Sequence, residues 1–162
     1  MYLLPAPLAL RETNAGDQDF LEALYATSRD DLLIPAADPA TLKALLKMQQ
    51  QVQQAGLRNQ FPFASHLILE RNGDAIGRIV IDTTLTDLRL VDIAILPHAR
   101  RRGAASAVLR ALQTRARQQG LGMSLAVSKA NHAARNLYLA MDFRMVTQDD
   151  LFEQMIWQET QA

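Results

Sequence analysis

Apolar positions follow two rhythms along this chain. In the first part they recur at helical spacing. Phe20, Leu21, Leu24 and Tyr25 form one stripe, preceded by turn and cap residues from Thr13 to Asp17. Asp38-Pro39 reads as an N-cap and first helical residue of a second helix carrying Leu42, Leu45, Leu46, Met48 and Val52, with Gly56 as the expected stop. Ahead of both, Leu8 to Glu12 suits a short strand. From Ser65 the pattern changes to compact apolar runs between turn signals. His66 to Glu70 and Ala75 to Asp82 flank Arg71-Asn72-Gly73-Asp74, and Asn-Gly between such runs predicts a hairpin. Leu88 to Leu96 makes the next strand, reached through a turn over Thr83 to Asp87.

Helical spacing then returns with Ala105, Val108, Leu109, Leu112 and Ala116, and Gly120 is the expected C-cap. Met123 to Val127 reads as a strand, so this part of the chain has the order of a βαβ unit. Asn131 can cap a further helix bearing Ala134, Leu137, Tyr138 and Met141, and strands around Arg144 to Thr147 and Phe152 to Gln158 follow. The expectation is one mixed α/β (α+β) domain over residues 1–162, without repeats or linkers.

Charge adds a feature that periodicity lacks. Lys plus Arg and Asp plus Glu both number 17, so the whole chain is neutral, but no acidic residue occurs from Ile93 to Met141. Arg100, Arg101, Arg102, Arg110, Arg115, Arg117, Lys129 and Arg135 all fall in that interval, while Glu12, Asp17, Asp19, Glu22, Asp30, Asp31 and Asp38 gather early. Three arginines stand where a helix begins, an end that already carries a partial charge of roughly +0.5. A bound anion resolves that conflict. Gly103, Ala104, Ala105 and Ser106 are small enough for a ligand to approach the backbone, and the arginines offer charge-assisted hydrogen bonds. Taken alone, the segment fits either a phosphate cradle or a solvated basic surface.

A second signature accompanies it. Arg100-x-x-Gly103-x-Ala105, after Ile93 to Leu96 and Pro97, resembles the acetyl-CoA pyrophosphate loop of the GNAT superfamily of N-acetyltransferases. Asn131-x-x-Ala134-x-x-Leu137-Tyr138 followed by Phe143 resembles that family's later motif, with Asp142 where the family usually has glycine. The resemblance implies a central mixed, mostly antiparallel twisted sheet of about six to seven strands flanked by about four helices. Within it a parallel pair, here Ile93 to Leu96 and Ser124 to Val127, splays to admit the cofactor.

It further implies site residues. The diphosphate lies against backbone N–H groups of Arg101, Arg102, Gly103, Ala104, Ala105 and Ser106, with Arg100 facing the phosphates; Arg101 and Arg102 point either to ligand or to water. Strand residues Ile93, Ala94 and Ile95 pair their backbone with the pantetheine arm, and Asn131 both caps its helix and contacts the cofactor. Tyr138 is the implied general acid, although its spacing equally suits a core tyrosine. An alkylammonium acceptor must lose a proton before attack, and Asp92 is the first candidate base, followed by Glu70, Asp82 or water. Asp92 also fits a structural carboxylate.

These features together point to acetyl-CoA-dependent transfer to a primary amine of a small molecule or peptide, by direct attack in a ternary complex without a metal. A non-catalytic acyl-CoA-binding sensor or protein-interaction module is the alternative. The early acidic residues hint at a cationic acceptor. His66, His98 and His132 are scattered, cysteine is absent, and no metal motif emerges. Nucleic acid is disfavoured by neutral charge and the lack of aromatics among the arginines. No apolar run reaches the roughly 20 residues of a membrane span, and the apolar opening from Met1 to Leu10 lacks a basic n-region, so the expectation is a cytoplasmic protein, monomer or homodimer.

Overall fold

The computed structural model describes residues 2–28 and 38–159; Met1, Asp30 and Asp31 lie outside them. The hydrophobic runs form strands β1 (Leu8–Glu12), β2 (Ser65–Arg71), β3 (Asp74–Thr83), β4 (Asp87–Ile95), β5 (Gly122–Ser128), β6 (Arg144–Gln148) and β7 (Phe152–Trp157). The helical patterns form α1 (Gln18–Thr27), α2 (Pro39–Gln60), α3 (Ala104–Gln118) and α4 (His132–Ala140). All seven strands join one sheet in the order β1-β2-β3-β4-β5-β7-β6. Every neighbouring pair is antiparallel except β4 and β5, the two strands that α3 connects.

Both faces of the sheet's centre are covered, which explains why Ile79, Val80 and Ile81 are buried in succession. Leu67, Leu69, Ile79 and Ile81 pack into one core with Val108, Leu109 and Leu112 of α3. The alternate residues Ile68 and Val80 are equally buried but lie outside that cluster, on the face to which α1 brings Leu21 and Leu24. On that second face Arg11 of β1 joins Asp17, through bonds of 2.7 and 2.8 Å, to Glu70 of β2 at 3.0 Å. The guanidinium, together with the Asn14 N–H, holds the Asp17 carboxyl down at about 2.

One local expectation changes, and β4 departs from regular alternation. Helix α2 does not stop at Gly56 but continues to Gln60, because Gly56 sits in open space and Phe61, at φ −127°, is the residue that Pro62 excludes from helical backbone. Straight alternation along β4 also fails. Val80 pairs with Asp92 and Ile81 with Leu90, so Val91 is an extra residue in a β-bulge. Leu88 and Leu90 before it, and Ile93 and Ile95 after it, all contribute to the α3 core. Without the bulge Asp92 would share the face of Leu88 and Leu90.

Gly77 lies where β3 meets the end of β4. It pairs with Ile95, and a Cβ there would stand 2.6 Å from the Ala94 carbonyl oxygen, a backbone atom that cannot rotate away. Gly77→Ala is therefore expected to destabilise the fold by about 1–3 kcal/mol, measured by urea unfolding.

Candidate active site

The turn between β4 and α3 is shaped by backbone rather than by a capping side chain. Leu96 N–H donates to the Ile76 carbonyl at 2.8 Å, the short turn Pro97–Ala99 buries Ala99, and Arg100 Nε reaches back to the Ile95 carbonyl at 2.9 Å. Arg101 and Gly103 then adopt left-handed backbone, φ 63° and 76°. Glycine takes that conformation freely; arginine pays roughly 1–2 kcal/mol, strain typical of a binding loop. Gly103 is the N-cap of α3 and supplies no side-chain acceptor, and the helix ladder starts only with Ala107 N–H on the Gly103 carbonyl at 2.9 Å. The N–H groups of Ala104, Ala105 and Ser106 therefore form an open cradle for an anion.

That cradle closes one end of a cleft of about 460 Å³. Ile93 and Ile95 of β4 form one wall, Ala134, Leu137 and Tyr138 of α4 the other, and Arg100 and Arg101 stand at the mouth. Arg102 and Ala94 do not line it, and Asn131 uses its side chain to accept from Ala134 N–H at 3.2 Å, capping α4. The cleft is prolonged by a wedge within the sheet. Parallel pairing runs only from Asp87↔Gly122 to Leu90↔Leu125, after which the strands part and enclose about 140 Å³. The opening thus begins at Ala126; Ser124 is still paired, with Arg89, which corrects the expected start of the splay.

Tyr138 lines both spaces and is 6% exposed. Its position is fixed by the way α4 ends. Asp142 takes the left-handed conformation, φ 68°, usually given to glycine, with Asp142 N–H donating to the Leu139 carbonyl at 3.1 Å and Phe143 N–H to that of Tyr138 at 3.0 Å. Phe143 then packs on Tyr138 with ring centroids 5.9 Å apart. Burial, and secondarily the negative charge of Asp92, push the Tyr138 hydroxyl up to about 12.

Of the three carboxylates considered as bases, Asp92 alone lines the wedge; Glu70 is held by Arg11. Asp92 is not isolated. Arg78 of β3, 7% exposed, donates to its Oδ2 from both Nε, at 3.1 Å, and Nη2. Arg78 escaped the sequence reading, although one arginine inside Ala75-Ile-Gly-Arg-Ile-Val-Ile81 signals a buried charge in need of a partner. Asp17, Asp19, Glu22 and Asp38, among the described early acidic residues, lie elsewhere. Asp17 serves Arg11, Asp38 caps α2, and Asp19 and Glu22 line a separate groove between α1 and α2. Among the described residues no cluster of acidic and histidine side chains could hold a metal ion, and no helix is long and apolar enough to cross a membrane.

The model of the acetyltransferase (GNAT) family matches residues 30–143, most of the chain. The chain belongs to that family. GNAT enzymes draw the acetyl group from acetyl-CoA, and the matched region holds β4, the cradle, the cleft and Tyr138. Solved structures agree on the fold. The PaiA N-acetyltransferase of Thermoplasma acidophilum, determined with coenzyme A, superimposes with a TM-score of 0.68 at 14% identity over 94% of this chain and 99% of that one. The ribosomal-protein-S18-alanine N-acetyltransferase of Escherichia coli gives 0.63 at 19% identity over 92% and 90%. The N-acetyltransferase PseH of Campylobacter jejuni gives 0.61 at 15% over 94% and 99%. A comparison with curated protein sequences finds no match.

The GNAT donor suits this cleft chemically: free N–H groups and guanidinium groups for a diphosphate, apolar walls for an extended chain, and unpaired β4 backbone for amides. The hydroxyl predicts a spectroscopic signature. Because folding favours neutral Tyr138, its contribution to stability is intact below pH 10 and is lost as pH rises through about 12. In an ultraviolet titration, the tyrosinate step that disappears in Tyr138→Phe is expected near pH 12, above that of an ordinary tyrosine.

Proposed function

We propose that this GNAT enzyme transfers acetyl from acetyl-CoA directly to a primary amine, within a ternary complex. The observation that carries the reading is the position of Tyr138, shared by the cofactor-sized cleft and the wedge that Asp92 also lines. In this reading the N–H groups of Gly103 to Ser106 and the guanidinium groups of Arg100 and Arg101 hold the diphosphate. Arg102, away from the cleft, adds only long-range attraction. The β4 backbone at Ile93, Ala94 and Ile95 carries the pantetheine amides, which compensates for the early loss of β5 as a partner.

Bound acetyl-CoA supplies an activated acyl group as a thioester. Asp92, whose Oδ2 is occupied by Arg78, accepts the proton of the incoming ammonium through Oδ1, directly or through water. Tyr138 keeps its proton at neutral pH and gives it to the sulfur as the C–N bond forms and the C–S bond breaks; the second proton of the nitrogen then restores the Tyr138 hydroxyl. Asn131 acts by starting α4 in register, so that Tyr138 and Leu137 reach the cleft.

Two measurements on one preparation test this. Calorimetric titration with acetyl-CoA should show binding that weakens about tenfold or more in the Arg100→Ala, Arg101→Ala double variant. Thiol release against a panel of primary amines should show Tyr138→Phe losing about 100-fold in kcat while its acetyl-CoA affinity stays within about twofold. Binding without turnover of any amine would sink the transfer reading.

A further inference from the structure

Beside the wedge lies a small pocket of about 150 Å³ on the α1 side of β4. Leu21, Leu24 and Gln53 wall it, and Arg78, Asp92 and Ala94 belong to its strand side. It shares Asp92 and Ile93 with the wedge, so an amine seated there borders the reaction space. Among the described residues, Arg78 and Asp92 are the charged ones lining it.

The pairing of these two groups is one-sided. Both guanidinium contacts go to Asp92 Oδ2, from Nε and Nη2. Asp92 Oδ1 and Arg78 Nη1 make no hydrogen bond among the described residues. Neither atom is sealed from solvent, since the buried unpartnered side-chain atoms among the described residues are Gln49 Oε1 and Gln50 Nε2; both can therefore exchange water for the polar groups of a ligand. An acceptor that offered only a cation would serve Oδ1 and leave Nη1 unmatched. His66, on the same face of β2, adds little charge near neutral pH, since burial and the neighbouring Arg58 and Arg78 disfavour its protonation.

We propose that the acceptor is a free α-amino acid with a compact apolar side chain. Its amino group meets Asp92 Oδ1, its carboxylate meets Arg78 Nη1, and its side chain lies against Leu21 and Leu24. This rests on the amine-transfer reading above. The step balances: the ammonium loses one proton through Asp92, the neutral amino nitrogen forms the C–N bond, the thioester C–S bond breaks with the Tyr138 proton going to sulfur, and the second amino proton returns to the Tyr138 oxygen. The products are an N-acetylamino acid and coenzyme A.

The test uses the full chain with saturating acetyl-CoA and three acceptors that differ only at the carboxylate: L-valine, L-valinamide and isobutylamine. L-Valine is expected to exceed both others in kcat/KM by about tenfold or more. In Arg78→Gln that preference should fall to within about threefold, chiefly through KM for L-valine, and Arg78→Lys should restore part of it. Circular dichroism and acetyl-CoA titration verify that the variants fold. Equal rates on the three acceptors, a preference for L-valinamide or isobutylamine, or an unchanged preference in folded Arg78→Gln overturns the amino-acid assignment while leaving amine transfer intact. No turnover of any acceptor by protein that binds acetyl-CoA overturns both.

Discussion

Strand β4 has a β5 neighbour only as far as Leu90, and the rest of the site follows from that early separation. Backbone polar groups along the parted edge need partners, and a dry closed sheet would not supply them. The chain instead keeps the gap open with a bulge on one strand, a loop with two left-handed residues at its end and a helix whose tyrosine fills the bottom. An extended ligand with amides can replace the missing strand, so the defect in the sheet and the wedge beside the cleft are one feature.

Electrostatics divides along the same line. On the α3 side, cationic residues surround an uncapped helix start without a nearby carboxylate in sequence, a state that favours an incoming anion. On the α1 side, charges are matched within the fold: Arg11 with Asp17 and Glu70, Arg78 with Asp92. Tyr138 sits between the two regimes. Its hydroxyl is kept neutral mainly by apolar surroundings, a protonation state fit for donation toward a departing thiolate.

Much of this arrangement was legible from residue order. The Asn72-Gly73 hairpin, Gly120 at the end of α3, the Arg100 to Ser106 turn and the Asn131 cap carry their conformations in local chemistry, and the seven strands and four helices follow. What escaped was non-local. The Val91 bulge has no glycine to mark it and arises from how β3 and β4 register. The Arg78–Asp92 pair joins residues on different strands, and the onset of the splay depends on where β7 and α4 hold β5. Gly56 misled because an exposed glycine is a weak helix breaker, whereas Pro62 imposes a steric limit.

The extra residue at Val91 also makes the two ends of β4 obey opposite parity rules. Upstream, even-numbered positions belong to the apolar interior under α3; downstream, odd-numbered ones do. Straightening the strand there with every residue kept would leave the composition untouched yet turn Asp92 toward hydrocarbon and an isoleucine toward Arg78. The placement of the Arg78–Asp92 pair is thus held by a phase offset of a single residue, invisible to any comparison that aligns side-chain types without counting them.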